Sequence, residues 1–251
     1  MGMKHRFKAF ATHFGLSALV LAGCMVVIFG FWYPDPYYRI LGAGHILLVL
    51  AGVQLLLGPS LTFLVYAPGK KNLKFDLSVI VIIQLVALVY GMHAIHSERP
   101  WFMVFAVDRF NVLAAKDVDF EAIHDPRFLA KPWRGPLMLV ANLPEDPAER
   151  QRLMEETLFQ GKPDVERRPE YWSVYAEGWS QARSASKGLQ YLQQARPEAS
   201  EAIAATAAAA GVDANALRFL PVMGKQSDFA VVLDPEDGAI IDIIDVNPWL
   251  E

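Results

Sequence analysis

The chain has 251 residues, 53% of them apolar and 20% charged, with a formal net charge of −4 that conceals two opposed halves. Met1 to Ser97 carry seven Lys/Arg against Asp35 and Asp76, a net of +5, whereas Glu98 to Glu251 carry sixteen against twenty-five acids, a net of −9. The acidic half is long enough for a core of its own, and its charge argues against wrapping nucleic acid or an anionic bilayer; the lone Cys24 leaves neither a disulfide framework nor a Cys-type metal site to consider.

Three uncharged stretches open the chain. Phe14 to Phe31 is the first, and two more between Ile40 and Ser97 flank the basic joint Pro68-Gly69-Lys70-Lys71-Asn72-Leu73-Lys74. A bilayer core is about 30 Å thick and is crossed by roughly 20 apolar helical residues, so each stretch predicts a transmembrane helix. Lys4, Arg6 and Lys8 precede the first, and Lys70, Lys71 and Lys74 separate the second and third. Positively charged loops stay cytoplasmic, so both clusters lie inside and the chain after Ser97 emerges on the outer face. The aromatic loop Trp32 to Arg39 then reads as an interfacial belt on that outer face. A cleaved signal peptide competes for the first thirty residues, but no small-x-small site follows Phe29, and retention of helix one is the preferred reading.

Helix two contains Gly58-Pro59, which predicts a kink with Ser60 or Thr62 satisfying the carbonyl that Pro frees. Gln54 and Gln84 lie inside apolar helices, where an amide must bond either to the other or to a helix of a partner. Asp76 has no second acid in the spans with which to share a proton, so an aspartyl-protease reading fails and pairing with Lys74 or capping of helix three is expected. His45, His93 and His96 would lie near the outer leaflet, yet no carboxylate accompanies them, and no metal or haem site is assigned.

Beyond Ser97, Phe102 to Val107 and Phe110 to Leu113 read as strands around Asp108-Arg109, and Gly135 to Leu143 as a buried strand closed by Pro144. Leu153, Met154, Leu158 and Phe159 suit an amphipathic helix between Pro147 and Gly161. Glu170 to Trp179 reads as helical, with Tyr171, Trp172, Tyr175 and Trp179 forming either core or a binding face. Helices follow at Ala182 to Ala195 and at Pro197 to Ala210, stopped by Gly211. Phe219 to Val222, Asp228 to Leu233 and Ala239 to Val246, joined by Gly/Asp-rich turns, predict an antiparallel meander. The expected fold is membrane-anchored α+β: three transmembrane helices over residues 1–97 and a soluble extracytoplasmic α+β domain over residues 98–251, with the early strands joining the late ones in one sheet. Asp234 to Gly238 lacks the alternating acids of a calcium loop and reads as a turn, and no nucleophile elbow or phosphate loop occurs. No catalytic residue, cofactor or metal ligand is assigned.

The residues Arg6-Phe7-Lys8-Ala9-Phe10, Trp32-Tyr33-Pro34, Gly58-Pro59-Ser60-Leu61-Thr62, Leu64-Val65-Tyr66, Pro68-Gly69-Lys70-Lys71, Leu73-Lys74-Phe75-Asp76-Leu77, Gln84-Leu85, Tyr90-Gly91 and Val107-Asp108-Arg109-Phe110 resemble the type IV pilin accessory proteins of the TfpX/TfpZ type. The resemblance is dense from Arg6 to Phe110 and thins beyond. It implies a bacterial inner-membrane protein, multi-pass with its N-terminus cytoplasmic and its C-terminal domain periplasmic. Such a protein serves the stability, assembly or surface display of a pilin without catalysis. Its partners would be the lipid bilayer and a type IV pilin or pilus assembly component, with the oligomeric state open. Gln54, Pro59, Thr62, Gln84 and Tyr90 in the helices, and Asp108, Arg109, Tyr171, Trp172 and Tyr175 in the outer domain, are the expected partner-binding residues. An immunity or inhibitor protein, or a ligand-binding sensor, is the alternative.

Overall fold

The computed structural model describes residues 2–249. They form two compact units, one of the residues up to Pro34 with Ala43–Glu98, the other of Asp35–Gly42 with the residues from Arg99 on.

In the first unit, three helices are long and apolar enough to cross a membrane: Gly2–Trp32, Gly44–Val65 and Leu73–Ser97. We number the helical segments α1 (Gly2–Val27), α2 (Tyr37–Leu41), α3 (Gly44–Ala51), α4 (Gly58–Val65) and α5 (Leu73–Ser97). A π-turn extends α1 over Ile28–Trp32, and a second, Gly52–Leu57, joins α3 to α4. The second lies where the kink is expected: Pro59 has no N–H and its ring crowds the carbonyl four residues back, and a widened turn relieves both. Thr62 does not serve that carbonyl, however. Its Oγ1 lies 2.6 Å from His13 Nδ1 on α1, sharing a hydrogen bond between spans. Farther along, the buried Tyr33 hydroxyl donates to the Ile95 carbonyl at 2.9 Å and Trp32 packs edge-on against His96, so the end of the first span is held to the end of the third. At the basic joint, Asp76 pairs with Lys70 at 2.6 Å rather than with Lys74, and Arg6 donates to the Tyr66 carbonyl at 2.8 Å.

The second unit is built on a sheet of eight strands among the described residues. The strands are β1 (Pro100–Ala106), β2 (Arg109–Ala114), β3 (Leu137–Ala141), β4 (Trp172–Val174), β5 (Lys187–Gly188), β6 (Arg218–Met223), β7 (Phe229–Leu233) and β8 (Ile240–Ile244). Their order is β4-β3-β1-β2-β6-β7-β8, with β5 on part of β6. β1–β2 and β6–β7–β8 are antiparallel, and β2 joins β6 in parallel, so the early hairpin and the late meander share one curled sheet as expected. The helices are α6 (Pro147–Phe159), α7 (Tyr175–Ala185), α8 (Leu189–Ala195) and α9 (Ser200–Ala210).

Two sequence expectations fail here. Glu170 to Trp179 is not one helix: Trp172–Val174 is a strand, because Trp172 and Val174 alternate into the core while their backbone pairs with β3. Ala182 to Ala195 is broken at Ser186, where Lys187 and Gly188 pair with Phe219 and Arg218, and the Arg218 guanidinium donates to the Ser186 hydroxyl and carbonyl. The amphipathic helix at α6 is present, capped by Asp146 accepting from the Ala148 amide, but only Leu153 of its four apolar residues is buried, and Phe159 is 81% exposed.

Registers assign the two faces of the sheet. One carries Phe102, Val104, Leu113, Leu139 and Trp172, beside a second cluster of Phe219, Ala230, Val232 and Ile244 covered by α8 and α9. The other carries Met103, Phe105, Phe110, Val140, Val222, Val231 and Phe229, all fully or almost fully buried. That face is covered from two directions. The α7 helix brings Tyr175 onto Phe110 and sets Gly178 against Val140. The short α2, which lies between the first two spans in sequence, lays Tyr37 on the Met103 sulfur, Arg39 over the Phe229 ring and the fully buried Ile40 beside Gly224. The amide of Gln226 donates to the Ile40 carbonyl at 3.0 Å, and Arg39 pairs with Asp245 at 2.6 Å and Asp35 at 3.2 Å. The run that sequence reading began at Ile40 therefore gives its first residues to the second unit, and the span proper starts at Gly44. The loop is likewise more than an interfacial belt, since Tyr33 and Tyr37 are engaged inside the fold.

A Cβ at position 224 would collide with the Ile40 carbonyl. Gly224→Ala is therefore expected to lower the stability of the second unit by about 1–3 kcal/mol, the usual penalty for overpacking, measured as a lowered unfolding midpoint of the full chain in detergent.

Candidate functional site

The polar groups expected to meet a partner within the membrane meet each other. Gln54 lies in the π-turn of the second span and Gln84 in the middle of the third, 4% and 6% exposed. Gln54 Nε2 donates to the Gln84 carbonyl at 3.0 Å, and Gln84 Nε2 approaches the Gln54 carbonyl and Oε1 at 3.4 Å. Gly58 makes this possible, because any Cβ there would occupy the space of the Gln84 amide. Pro59 and Thr62 are buried beside it. Gln54, Pro59, Thr62 and Gln84 thus form an internal clasp between helices, not an outward face. Interhelical hydrogen bonds of this kind contribute about 0.6 kcal/mol on average and up to about 1.7.

Tyr90 is different. It is 75% exposed on the third span, and with Leu85, Val86, Val89 and His93 lines a shallow apolar depression of about 470 Å³. The basic residues behave as solvated termini: Lys4, Lys8, Lys71 and Lys74 are exposed, while Arg6 and Lys70 make the bonds given above.

In the second unit, Asp108 and Arg109 stand at the tip of the β1–β2 hairpin. The turn is the tight γ form, with the Asp108 amide donating to the Ala106 carbonyl at 2.7 Å across Val107 at φ +60°. A β-branched residue at positive φ is strained, at a cost of about 1–3 kcal/mol. Arg109 pairs with Asp108 at 2.7 Å, donates to the Met223 sulfur at 3.3 Å and lies 5.0 Å over the Trp249 ring. Trp249 is fixed in turn by Asp228, which accepts from its indole at 2.8 Å, and by Arg196 on its carbonyl. This leaves Val107 exposed at a rigid point. Nothing in the sequence pattern announced the role of Trp249, 140 residues away from Arg109.

The aromatic set divides. Trp172 is core, 4.9 Å from Phe102 and 6.0 Å from Phe128, with its indole donating to the Glu166 carbonyl. Tyr175 donates to the Gly238 carbonyl at 2.9 Å and anchors the β7–β8 turn. Tyr171 is half-buried and reaches Glu149 at 3.4 Å. Burial pushes the Tyr37 and Tyr175 phenols up to about 12. A groove of about 720 Å³ opens beside Ser186, Tyr191, Asn215 and Arg218, but the Arg218 guanidinium is already committed to Ser186. Among the described residues, no group of three His, Cys, Asp or Glu side chains is gathered as a metal would require.

Two outcomes are expected. Gln84→Leu leaves Gln54 Nε2 its bond to the Gln84 backbone carbonyl but takes the donor from Gln54 Oε1, and Gln54→Leu leaves the Gln84 amide only the more distant Gln54 backbone carbonyl; each is expected to lower helix-unit stability by about 1 kcal/mol or less, with the double variant losing less than the sum, as detergent unfolding in a double-mutant cycle measures. For the tyrosines, a folded pKa raised above 10 means that the stabilisation is complete below pH 10 and is lost as pH rises towards 12. Absorbance titration should show a phenolate step near pH 12 that shrinks in Tyr37→Phe and Tyr175→Phe.

Comparison with known proteins fits this two-unit chain to one family. Residues 2–42, the first span with α2, match the family model described as "Fimbrial assembly protein FimB". Two relatives from Dichelobacter nodosus, the fimbrial assembly proteins of serogroups E1 and I, are 31% and 32% identical over 241 residues, covering 92% of this chain and 93% of each relative. A third, the fimbrial assembly protein of serogroups C1 and C2, is 38% identical over 121 residues, 46% of this chain and 92% of the relative. No solved structure matches significantly. With such identity sustained from the membrane-type helices through the α+β unit, the chain belongs to the fimbrial assembly protein family.

Proposed function

We propose that the protein is a non-enzymatic, multi-pass inner-membrane accessory factor of type IV fimbriae, of the TfpX/TfpZ type, that stabilises or presents a pilin subunit. The observation that carries the topology is the membership of Asp35–Gly42 in the second unit. A loop between spans one and two and the chain after span three must lie on one side of a bilayer if all three helices cross it. Folding both into one body agrees with three crossings, and the basic clusters at Lys4 to Lys8 and Lys70 to Lys74 then lie on the cytoplasmic side. That arrangement divides the chain into an anchor over residues 1–97 and a periplasmic domain over residues 98–251, with the α2 segment contributed to the latter.

A pilin awaiting assembly presents one apolar helix in the membrane and a head outside it. In this reading the exposed Tyr90 face receives the helix, spaced by the Gln54, Gln84, Pro59 and Thr62 clasp behind it. The hairpin tip at Val107, with Asp108 and Arg109, meets the head, and Tyr171, Trp172 and Tyr175 stiffen the domain beneath. The family relationship supports an assembly role.

Photoreactive residues at Tyr90 and Val107 in the native cell are expected to capture a fimbrial subunit. Absence of capture at both positions, in cells that express the protein and assemble fimbriae, overturns the direct-contact reading. In a Cys24→Ser background, Asn72→Cys should react with an impermeant maleimide only after permeabilisation of the inner membrane, and Ser227→Cys before it.

A further inference from the structure

The loop from Leu129 to Gly135 has a composition and placement that the assembly role does not use. It exposes Leu129 and Trp133, the latter by 83%, next to the exposed Arg134. Within it the Lys131 ammonium is held by carbonyls alone, that of Gly135 at 2.9 Å and that of Pro132 at 3.4 Å. Burial lowers the Lys131 pKa, and the neighbouring Arg99 lowers it further. Two cations thus lie close together at this loop.

Chain continuity says where this loop works. Arg99 is two residues beyond Ser97, the end of the third span, and a chain advances at most about 3.6 Å per residue. At the other end of the loop, a Cβ on Gly135 would meet the Tyr37 ring at 3.9 Å, and Tyr37 is three residues beyond Pro34. The loop is therefore held beside both of the points at which chain enters the domain from a span.

We infer that the Leu129–Gly135 loop is a membrane-surface contact, in which Trp133 and Leu129 enter the headgroup region while Lys131 and Arg134 bind the phosphates of anionic phospholipid. An amphipathic Trp ring favours the interface, and cations near an anionic surface add about fivefold each to binding. The domain's net negative charge argues against a broad contact with an anionic bilayer, but a single loop whose only charges are Lys131 and Arg134 is screened from acids more than about 8 Å away at physiological ionic strength. The inference rests on the proposed three-span topology.

The test uses the full chain in nanodiscs of phosphatidylcholine, with and without phosphatidylglycerol, in a Cys24→Ser background carrying an environment-sensitive dye at Trp133→Cys or, as control, Val86→Cys. The dye at 133 should shift to the blue and be quenched by a lipid-borne headgroup nitroxide in anionic discs. The ratio of bound to unbound loop should fall about fivefold for each of Lys131→Gln and Arg134→Gln, and it should fall in high salt. Identical solvent-like emission in both lipids, with the dye at 86 quenched by an acyl-chain nitroxide, overturns the loop contact and leaves the topology standing. Failure of quenching at 86 removes the topology itself. A response at 133 to added fimbrial subunit but not to lipid charge assigns the loop to a protein partner and overturns the inference.

Discussion

The second unit depends on a segment that does not belong to it in sequence. A curled sheet with apolar side chains on both faces must be covered twice, and the helices after β3 cover one face and only part of the other. The remainder, around Met103 and Phe229, is covered by α2. Fully burying a residue such as Phe or Ile contributes about 1.5–3 kcal/mol, so removal of α2 would expose surface worth a substantial part of the marginal stability of such a domain. The Arg39 guanidinium makes the contact specific. Its stem and plane lie on the Phe229 and Tyr38 rings while its charge pairs with Asp35 and Asp245.

This arrangement constrains how the protein is made. Arg39 and Asp245 are 206 residues apart, and the sheet itself joins β2 to β6 across more than a hundred residues. Contacts this distant form late, because loop-closure entropy opposes them until much of the chain is in place. In a chain of this order, the segment between the first two long helices must be in place before the sheet can close on it. The family model's match to residues 2–42 coincides with the first span and this covering segment together, a grouping that makes sense if both are needed to complete the fold.

The helical unit solves a different problem. Apolar helices gain nothing from hydrophobic burial against one another in lipid, so their register comes from close packing and from a few hydrogen bonds. Here the bonds are Gln54 with Gln84, His13 with Thr62 and Tyr33 with Ile95, distributed along the bundle. The small residues Gly58 and Gly91 admit Gln84 and Leu50 respectively. A bundle clasped internally in this way leaves its outer surface largely apolar.

The sequence by itself determined the three long apolar helices, the basic joint, the β1–β2 hairpin, the meander of β6 to β8 and the helix stopped at Gly211, because each is written in local composition and period. It also showed that Gln54 and Gln84 needed partners. Only the tertiary structure decided that those partners were each other, since an amide in an apolar helix reads identically whether it bonds within the chain or outside it. The same limit applies to Trp172, whose spacing from Tyr175 and Trp179 suits a helix until backbone pairing with β3 takes precedence, and to Tyr37 through Ile40, whose aromatic and apolar character fits an interface as well as a core. Local pattern reports what a residue must bury or bond, and long-range packing selects the group that satisfies it.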